Sequence, residues 1–191
     1  MFKDEKVYTD VANLHINSIK TGFLPSLGTK FLALLYRCID ESDFAILIVN
    51  YEEDKLKGFV TGTLGTSSLY KLLLKHPLSL TLALMPVVFN FKKVKKIINI
   101  WNHMSGSDRK NYPSAELLTI CVDSDYQRQG VAVDLYKKLK SYFKDYLMNE
   151  FVIIVGQSLD ANRFYLSQGA EIFGELQVHS GVVSNVFIQR V

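Results

Sequence analysis

The sequence predicts an α/β fold in which helices flank a mixed central sheet. Two amphipathic helical patterns open the chain, a β-hairpin follows, and strands alternate with helices in the second half. This order is typical of layered α/β domains. The chain has 191 residues, of which 48% are hydrophobic and 21% are charged, a globular composition. We therefore expect a single domain over residues 1–191, without a linker or an internal repeat.

The first half is predicted to hold two helices and a hairpin. The first helical pattern opens at Asp10, the expected N-cap, and the second places the apolar side chains of residues 31–38 on one face. Strands are expected at 44–49 and 56–63, because β-branched and aromatic residues fill both segments and a charged turn separates them.

Residues 67–104 are predicted to form a helical insertion, broken into two or three helices at its two prolines. Its apolar run, 78–89, is shorter than the roughly 20 residues that span a membrane. The run could form a lid over an acceptor site, pair with a second subunit as a homodimer, or join the basic stretch Lys92–Lys96 in a peripheral membrane contact over 78–101. A solvated helix face is the alternative for the lysines.

Strands and helices are predicted to alternate in the second half, because apolar runs there are separated by helical patterns and turn signals. These elements are a strand at 115–122, a helix at 133–147, a strand at 151–155, a helix at 160–168 and two strands within 172–191. Gly169 follows the short helix as an expected C-cap.

Composition narrows the possible functions. A net charge of +3 is too small to indicate a nucleic-acid partner, although it suits an anionic ligand. The charged N-terminus lacks the apolar segment of a signal peptide, so the cytoplasm is the expected location. Cys38 and Cys121 lie in apolar stretches and are expected to be buried thiols. The four histidines have no metal-ligand spacing, and no metal is expected.

The most informative segment is Gln127–Ala132, which lies between the apolar strand and the helix that follows it. A loop at this junction can bind phosphate, because backbone N–H groups converge there and the helix dipole adds positive potential. Gly130 lets the main chain approach an anion, and Arg128 adds a permanent positive charge. Neither GxxxxGK[ST] nor GxGxxG occurs, which excludes the P-loop and the dinucleotide fingerprint.

The segment resembles the Q/R-x-x-G-x-G/A loop of the GNAT acyltransferases, with Ala132 at the variable last position. The resemblance is most specific over residues 116–169, and Gly58–Val60 looks like the third strand of that family. It implies a GNAT-like mixed sheet with the helical insertion between the family's third and fourth strands. It also implies that acetyl-CoA is the acyl donor. The implied contacts to the donor come from the strand end and the loop: Ile120, Cys121, Val122, Gln127, Arg128, Gln129, Gly130, Val131 and Ala132.

Glu116 is the first candidate catalytic residue. It stands near the start of an otherwise largely apolar strand, where burial would raise the pKa of a carboxyl group and suit it to general-base catalysis. It precedes Gly130 by fourteen positions, the separation found for the basic glutamate in the histone-modifying branch of GNAT. The resemblance implies that Glu116 accepts the amine proton, directly or through water. The alternative is a glutamate at the strand edge that faces solvent.

Tyr165 is the second candidate. Residues 161–169 look like the A-x-x-x-Y-x-x-x-G segment of the family, in which the tyrosine can protonate the leaving thiolate. The alternative is a ring that only packs on the sheet. Ser158 stands where family members often have asparagine, and it and Asn162 are expected to contact the donor.

In the family, the strand that carries the glutamate splays from its neighbour, and its free main-chain groups pair with pantetheine. The corresponding gap is expected between 119–122 and 152–155. Cys121 is a weak alternative nucleophile, because no histidine is adjacent in sequence and an apolar strand raises a thiol pKa.

The sequence therefore predicts an N-acetyltransferase that transfers the acetyl group of acetyl-CoA to a primary amine by direct attack, with a small molecule such as an amino sugar favoured as acceptor. Two alternatives on the same fold stay open, a non-catalytic acyl-CoA-binding module and a membrane-peripheral interaction module.

Overall fold

The computed structural model describes residues 3–19, 24–65, 73, 75–88, 112–179 and 182–191, with side chains for all of these except 86–88, 178, 179 and 182. The helices in these ranges are α1 (Glu5–Ser18), α2 (Thr29–Asp40), α3 (Pro77–Val88), α4 (Val131–Asp145) and α5 (Ala161–Ser167). The strands are β1 (Ala45–Glu52), β2 (Lys55–Thr63), β3 (Glu116–Val122), β4 (Glu150–Gly156), β5 (Glu171–His179) and β6 (Val182–Arg190).

These six strands form one sheet in the order β1-β2-β3-β4-β6-β5. All neighbouring pairs are antiparallel except β3 and β4, which run parallel. The predicted mixed sheet flanked by helices is therefore confirmed. The strands that correspond to the family's third and fourth are β2 and β3.

Two apolar cores cover the two faces of the sheet. The first core lies under α1 and α2, and the second lies under α4 and α5. Gly62 on β2 lets α4 approach closely, because a Cβ atom there would stand 2.5 Å from a methyl carbon of Leu139 and 2.9 Å from the ring of Phe143.

Several helix boundaries differ from the sequence prediction. Helix α1 begins at Glu5 with Asp4 as N-cap, and Asp10 lies inside it, where its carboxylate accepts a hydrogen bond of 3.0 Å from the Tyr51 hydroxyl. Pro86 lies within α3 and does not end it. Helix α4 ends at Asp145, because Leu147 takes a left-handed conformation with φ 57°.

The predicted insertion lies between β2 and β3, and its described part is chiefly α3. Its first proline, Pro77, begins the helix as expected for a residue without an N–H group. Leu78, Leu82 and Met85 are exposed on α3, whereas Ala83 is buried against the first core. The lysine stretch Lys92–Lys96 lies outside the described residues, and so does most of the segment predicted to contact a membrane. No described helix is long and apolar enough to cross a membrane.

Candidate active site

The predicted phosphate-binding loop is held together by its own side chains. The Gln127 amide donates to the Val122 carbonyl oxygen at 3.2 Å, and the Gln129 amide donates to the Asp125 carbonyl oxygen at 2.8 Å. Both glutamine side chains therefore brace the loop, and the main chain stays available for a ligand.

Helix α4 begins directly after the loop with an uncapped N-terminus. Gly130 is the N-cap residue, in the left-handed conformation with φ 83°, and no side chain caps the N–H groups of the first turn. Arg128 is also left-handed, with φ 59°, and it forms no ion pair with any described residue. Free N–H groups, the helix dipole and an exposed guanidinium together suit a diphosphate.

A gap opens between β3 and β4 beside this loop. The two strands pair only at Glu116–Val152 and Leu117–Ile153, although β3 continues on β2 to Val122 and β4 continues on β6. The gap predicted along 119–122 is therefore confirmed for β3. On β4 the prediction was wrong for Val152 and Ile153, which are still paired, so the gap begins at Ile154. The main-chain groups of β3 that face the gap can pair with an extended ligand.

A β-bulge decides which side chains face α1 and α2. Thr61 pairs with Thr119 and Gly62 pairs with Leu117, so β3 carries one extra residue between them. Because paired residues share a face, Glu116 lies on the same face as its partner Thr63, which is the face of the first core. Glu116 is 8% exposed. The alternative of a glutamate that faces solvent is therefore wrong.

Tyr165 on α5 is buried in the second core. Its ring packs against Phe164, Phe187 and Tyr136 with centroids 5.4, 6.0 and 6.2 Å away. Burial raises the pKa of its phenol, and the nearby Cys121 contributes in the same direction. The ring packs as the alternative interpretation expects, and the raised pKa keeps the hydroxyl group protonated at neutral pH.

Asn162 is fully engaged within the protein. Its amide nitrogen lies 2.6–3.2 Å from the carbonyl oxygens of Gly156, Gln157 and Leu159, and its oxygen accepts a hydrogen bond of 2.8 Å from Asn185. These contacts fix the turn that carries the exposed Ser158. The geometry thus gives Asn162 a positioning role, and Ser158 is the freer of the two for a ligand.

Both cysteines are free and buried, as the sequence indicated. Burial raises the pKa of Cys121 to about 12, although a hydrogen bond from Ser18 acts in the opposite direction. A thiol with this pKa is a poor nucleophile at neutral pH. Among the described residues, no cluster of histidine, cysteine or carboxylate side chains could hold a metal ion.

The sequence analysis missed a polar chain next to the gap. Tyr36 on α2 is 1% exposed and hydrogen-bonds Nδ1 of His15 on α1, which is 3% exposed. Thr119 forms a further hydrogen bond with the Tyr36 hydroxyl. Burial lowers the pKa of His15 to about 4. These residues come together only because α1 and α2 pack side by side on β3. Spacing along the sequence does not predict that packing.

Comparison with known proteins supports the resemblance that the loop indicated. Residues 104–184 match the model of the acetyltransferase (GNAT) domain, which covers the loop, the gap, Glu116 and Tyr165. Residues 104–184 of this chain are therefore similar to the GNAT acetyltransferase domain. The domain match and the shared fold support an acetyl-CoA-dependent N-acyltransferase. A comparison with curated proteins found no match.

Solved GNAT structures have the same fold. An aminoglycoside 6'-N-acetyltransferase in complex with coenzyme A has a TM-score of 0.62 and 10% identity, over 100% of this chain and 95% of that chain. The ribosomal-protein-S18-alanine N-acetyltransferase of Escherichia coli has a TM-score of 0.60 and 12% identity, over 100% and 91%. A streptothricin acetyltransferase of Bacillus anthracis in complex with acetyl coenzyme A has a TM-score of 0.52 and 17% identity, over 82% and 68%.

Proposed function

We propose that this protein transfers the acetyl group of acetyl-CoA to a primary amine by direct attack. The proposal depends on one observation: the uncapped N-terminus of α4 follows β3, the strand that separates from its parallel neighbour β4. The first feature suits the diphosphate of the donor, and the second suits its extended pantetheine arm. A buried carboxylate, Glu116, lies on the same strand.

In the proposed reaction the amine nitrogen forms a bond to the carbonyl carbon of the thioester, and the carbon–sulfur bond breaks. Glu116 accepts the proton that the nitrogen loses. Tyr165 donates its phenolic proton to the departing sulfur, because its raised pKa keeps the hydroxyl group protonated. Main-chain N–H groups at the end of β3 stabilise the charge that develops on the carbonyl oxygen.

The proposed acceptor is a small molecule such as an amino sugar. Glu116 is buried on β3, and the half-buried Thr119 follows it by three residues on the same face. One carboxylate near one hydroxyl group suits a single amine on a polar scaffold better than a polyamine. Two of the similar structures are named as acetyltransferases of antibiotics, aminoglycosides and streptothricin, which supports the same choice.

The test is release of free thiol from acetyl-CoA across a panel of amino sugars, aminoglycosides, polyamines, amino acids and peptides, with mass spectrometry of the products. We expect turnover with at least one amino sugar and none with the matching sugar that has a hydroxyl group in place of the amine. Tight binding of coenzyme A without turnover on any amine would favour the non-catalytic acyl-CoA-binding module instead.

A further inference from the structure

Three side chains from three elements form a hydrogen-bonded chain that ends at the gap between β3 and β4. His15 on α1 and Tyr36 on α2 are buried, and Thr119 on β3 is half-buried. The ring of Tyr36 is held by edge-to-face packing on Phe59, with centroids 5.2 Å apart. Because Tyr36 is 1% exposed, its hydroxyl group has few directions in which to donate or accept a hydrogen bond.

The donor and acceptor strengths of the three groups assign a direction to these hydrogen bonds. A phenol donates a hydrogen bond more readily than an aliphatic hydroxyl group, and a neutral imidazole nitrogen is the strongest acceptor of the three groups. Burial lowers the pKa of His15 to about 4, so one of its ring nitrogens is an acceptor at neutral pH. Tyr36 then donates to Nδ1 of His15, and Thr119 donates to Tyr36. The Thr119 oxygen is left with lone pairs and no proton for a ligand.

Thr119 is also in the right place to contact an acyl acceptor. It follows Glu116 by three residues on the same face of β3, which is roughly 10 Å along an extended strand and less where a bulge intervenes. It lies in the part of β3 beyond Leu117 that is no longer paired with β4. An amine between the proposed base and the proposed donor site would lie next to this hydroxyl group.

We propose that Thr119, oriented by Tyr36 and His15, accepts a hydrogen bond from the attacking amine and thereby selects primary amines. The inference rests on the proposed function. A neutral primary amine has two N–H bonds. When its nitrogen attacks, one proton passes to Glu116 and the other stays on the nitrogen in the hydrogen bond to Thr119. A secondary amine has one N–H bond and cannot serve both groups.

The test compares kcat/KM for a primary amine and for its N-methyl derivative. We expect the wild-type protein to favour the primary amine by about 100-fold, because an unpaired buried polar group is costly. Thr119→Val should lower kcat/KM for the primary amine at least about tenfold and remove most of the preference. Thr119→Ser should retain both the kcat/KM for the primary amine and the preference for it over the N-methyl derivative. A Thr119→Val protein with undiminished preference would overturn the inference.

Two controls separate orientation from general damage. Thr61→Val makes the same change at the cross-strand partner of Thr119, where the hydroxyl group is buried and has no hydrogen-bond partner among the described residues, so the preference should be unchanged. Tyr36→Phe should weaken the preference, whereas Tyr8→Phe, which removes a hydrogen bond of 2.9 Å to Asp40, should not. Equal losses in both tyrosine variants would contradict an orienting role.

The tautomer of His15 gives a readout that does not need turnover. Nitrogen NMR of the ring should show Nδ1 unprotonated at neutral pH, and His15→Asn, which can present an acceptor oxygen near the same position, should keep the amine preference. A proton on Nδ1 would reverse the chain and overturn the inference even if acetyl transfer is observed. An unprotonated Nδ1 in a protein that transfers to no amine would instead refute the proposed function, and with it the role of Thr119.

Discussion

At the scale of single residues, burial distinguishes the candidate catalytic groups from ordinary surface residues. Glu116 and Glu150 each begin a strand, β3 and β4, yet Glu116 is buried and Glu150 is exposed. The buried carboxylate lies on the face that α1 and α2 cover. An acceptor that entered from that side would meet this carboxylate.

We expect Glu116→Gln to lower kcat/KM for the amine by about 100-fold at pH 7, because a general base typically contributes at least this much. Binding of coenzyme A, measured by calorimetry, should change little. Glu150→Gln is the matched control and should leave both quantities unchanged. Equal activity of the Glu116→Gln and wild-type proteins would exclude Glu116 as the base.

Tyr165 should act as an acid over the whole neutral range. Burial raises the pKa of its phenol above the usual value of 10, so the hydroxyl group stays protonated up to at least that pH. We expect kcat of the wild-type protein to show no loss between pH 7 and pH 9 from this group, and Tyr165→Phe to lower kcat by about tenfold or more at unchanged donor affinity. A decline of kcat in that interval that disappears in Tyr165→Phe would contradict this assignment.

At the scale of elements, patterns along the chain predicted most of the sheet and the order of the helices. Apolar runs identify the strands, and the glycine before α4 identifies the loop, because both signals are local. The end of α4 was missed because Leu147, and not glycine, takes the left-handed position. There the N–H of Met148 bonds the Phe143 carbonyl oxygen at 3.0 Å and closes the helix.

The polar chain of His15, Tyr36 and Thr119 was missed for a different reason. Its members are 21 and 83 residues apart along the chain, and only the packing of α1 and α2 on one face of β3 unites them. The bulge in β3 adds a second obstacle, since it reverses the inward and outward alternation that a sequence pattern assumes.

The loop before α4 offers a test at this scale with a matched control. Gly130 and Gly169 both have positive φ, 83° and 84°, and a Cβ atom would meet nothing within 4 Å at either position. Alanine at each should cost about 1 kcal/mol of stability through backbone strain. We expect only Gly130→Ala to weaken binding of coenzyme A, by about tenfold, because its methyl group would stand where the anion approaches the main chain.

Calorimetric titrations of both variants decide this prediction, with chemical unfolding as the measure of strain. If Gly169→Ala weakened coenzyme A binding as much as Gly130→Ala, the loss would come from strain alone, and the loop would have no special part in binding.

At the scale of the whole molecule, the buried His15 makes stability depend on pH. Its pKa is about 4 in the folded protein and 6.5 in its ordinary state. The unfolded chain therefore takes up a proton between these values and the folded protein does not. The stabilisation is complete above pH 6.5 and is lost as pH falls towards 4, by up to about 3 kcal/mol.

Urea unfolding at pH 7 and pH 4.5 measures this loss, and His15→Asn should reduce it because asparagine does not titrate. Carboxylates also titrate in this range, so the comparison between the two proteins carries the test. The same loss of stability in His15→Asn as in wild type would show that His15 is not the group responsible.

The central claim is that the main chain at the start of α4 binds the diphosphate of the donor. Calorimetric titration of the wild-type protein with coenzyme A and with pantetheine, which lacks the diphosphate and the nucleotide, tests this claim most directly. We expect coenzyme A to bind at least about 100-fold more tightly than pantetheine, a difference of about 2.7 kcal/mol in binding free energy. Gly130→Ala should reduce this difference in affinity. Equal affinity for the two compounds, or no binding of coenzyme A, would contradict the account.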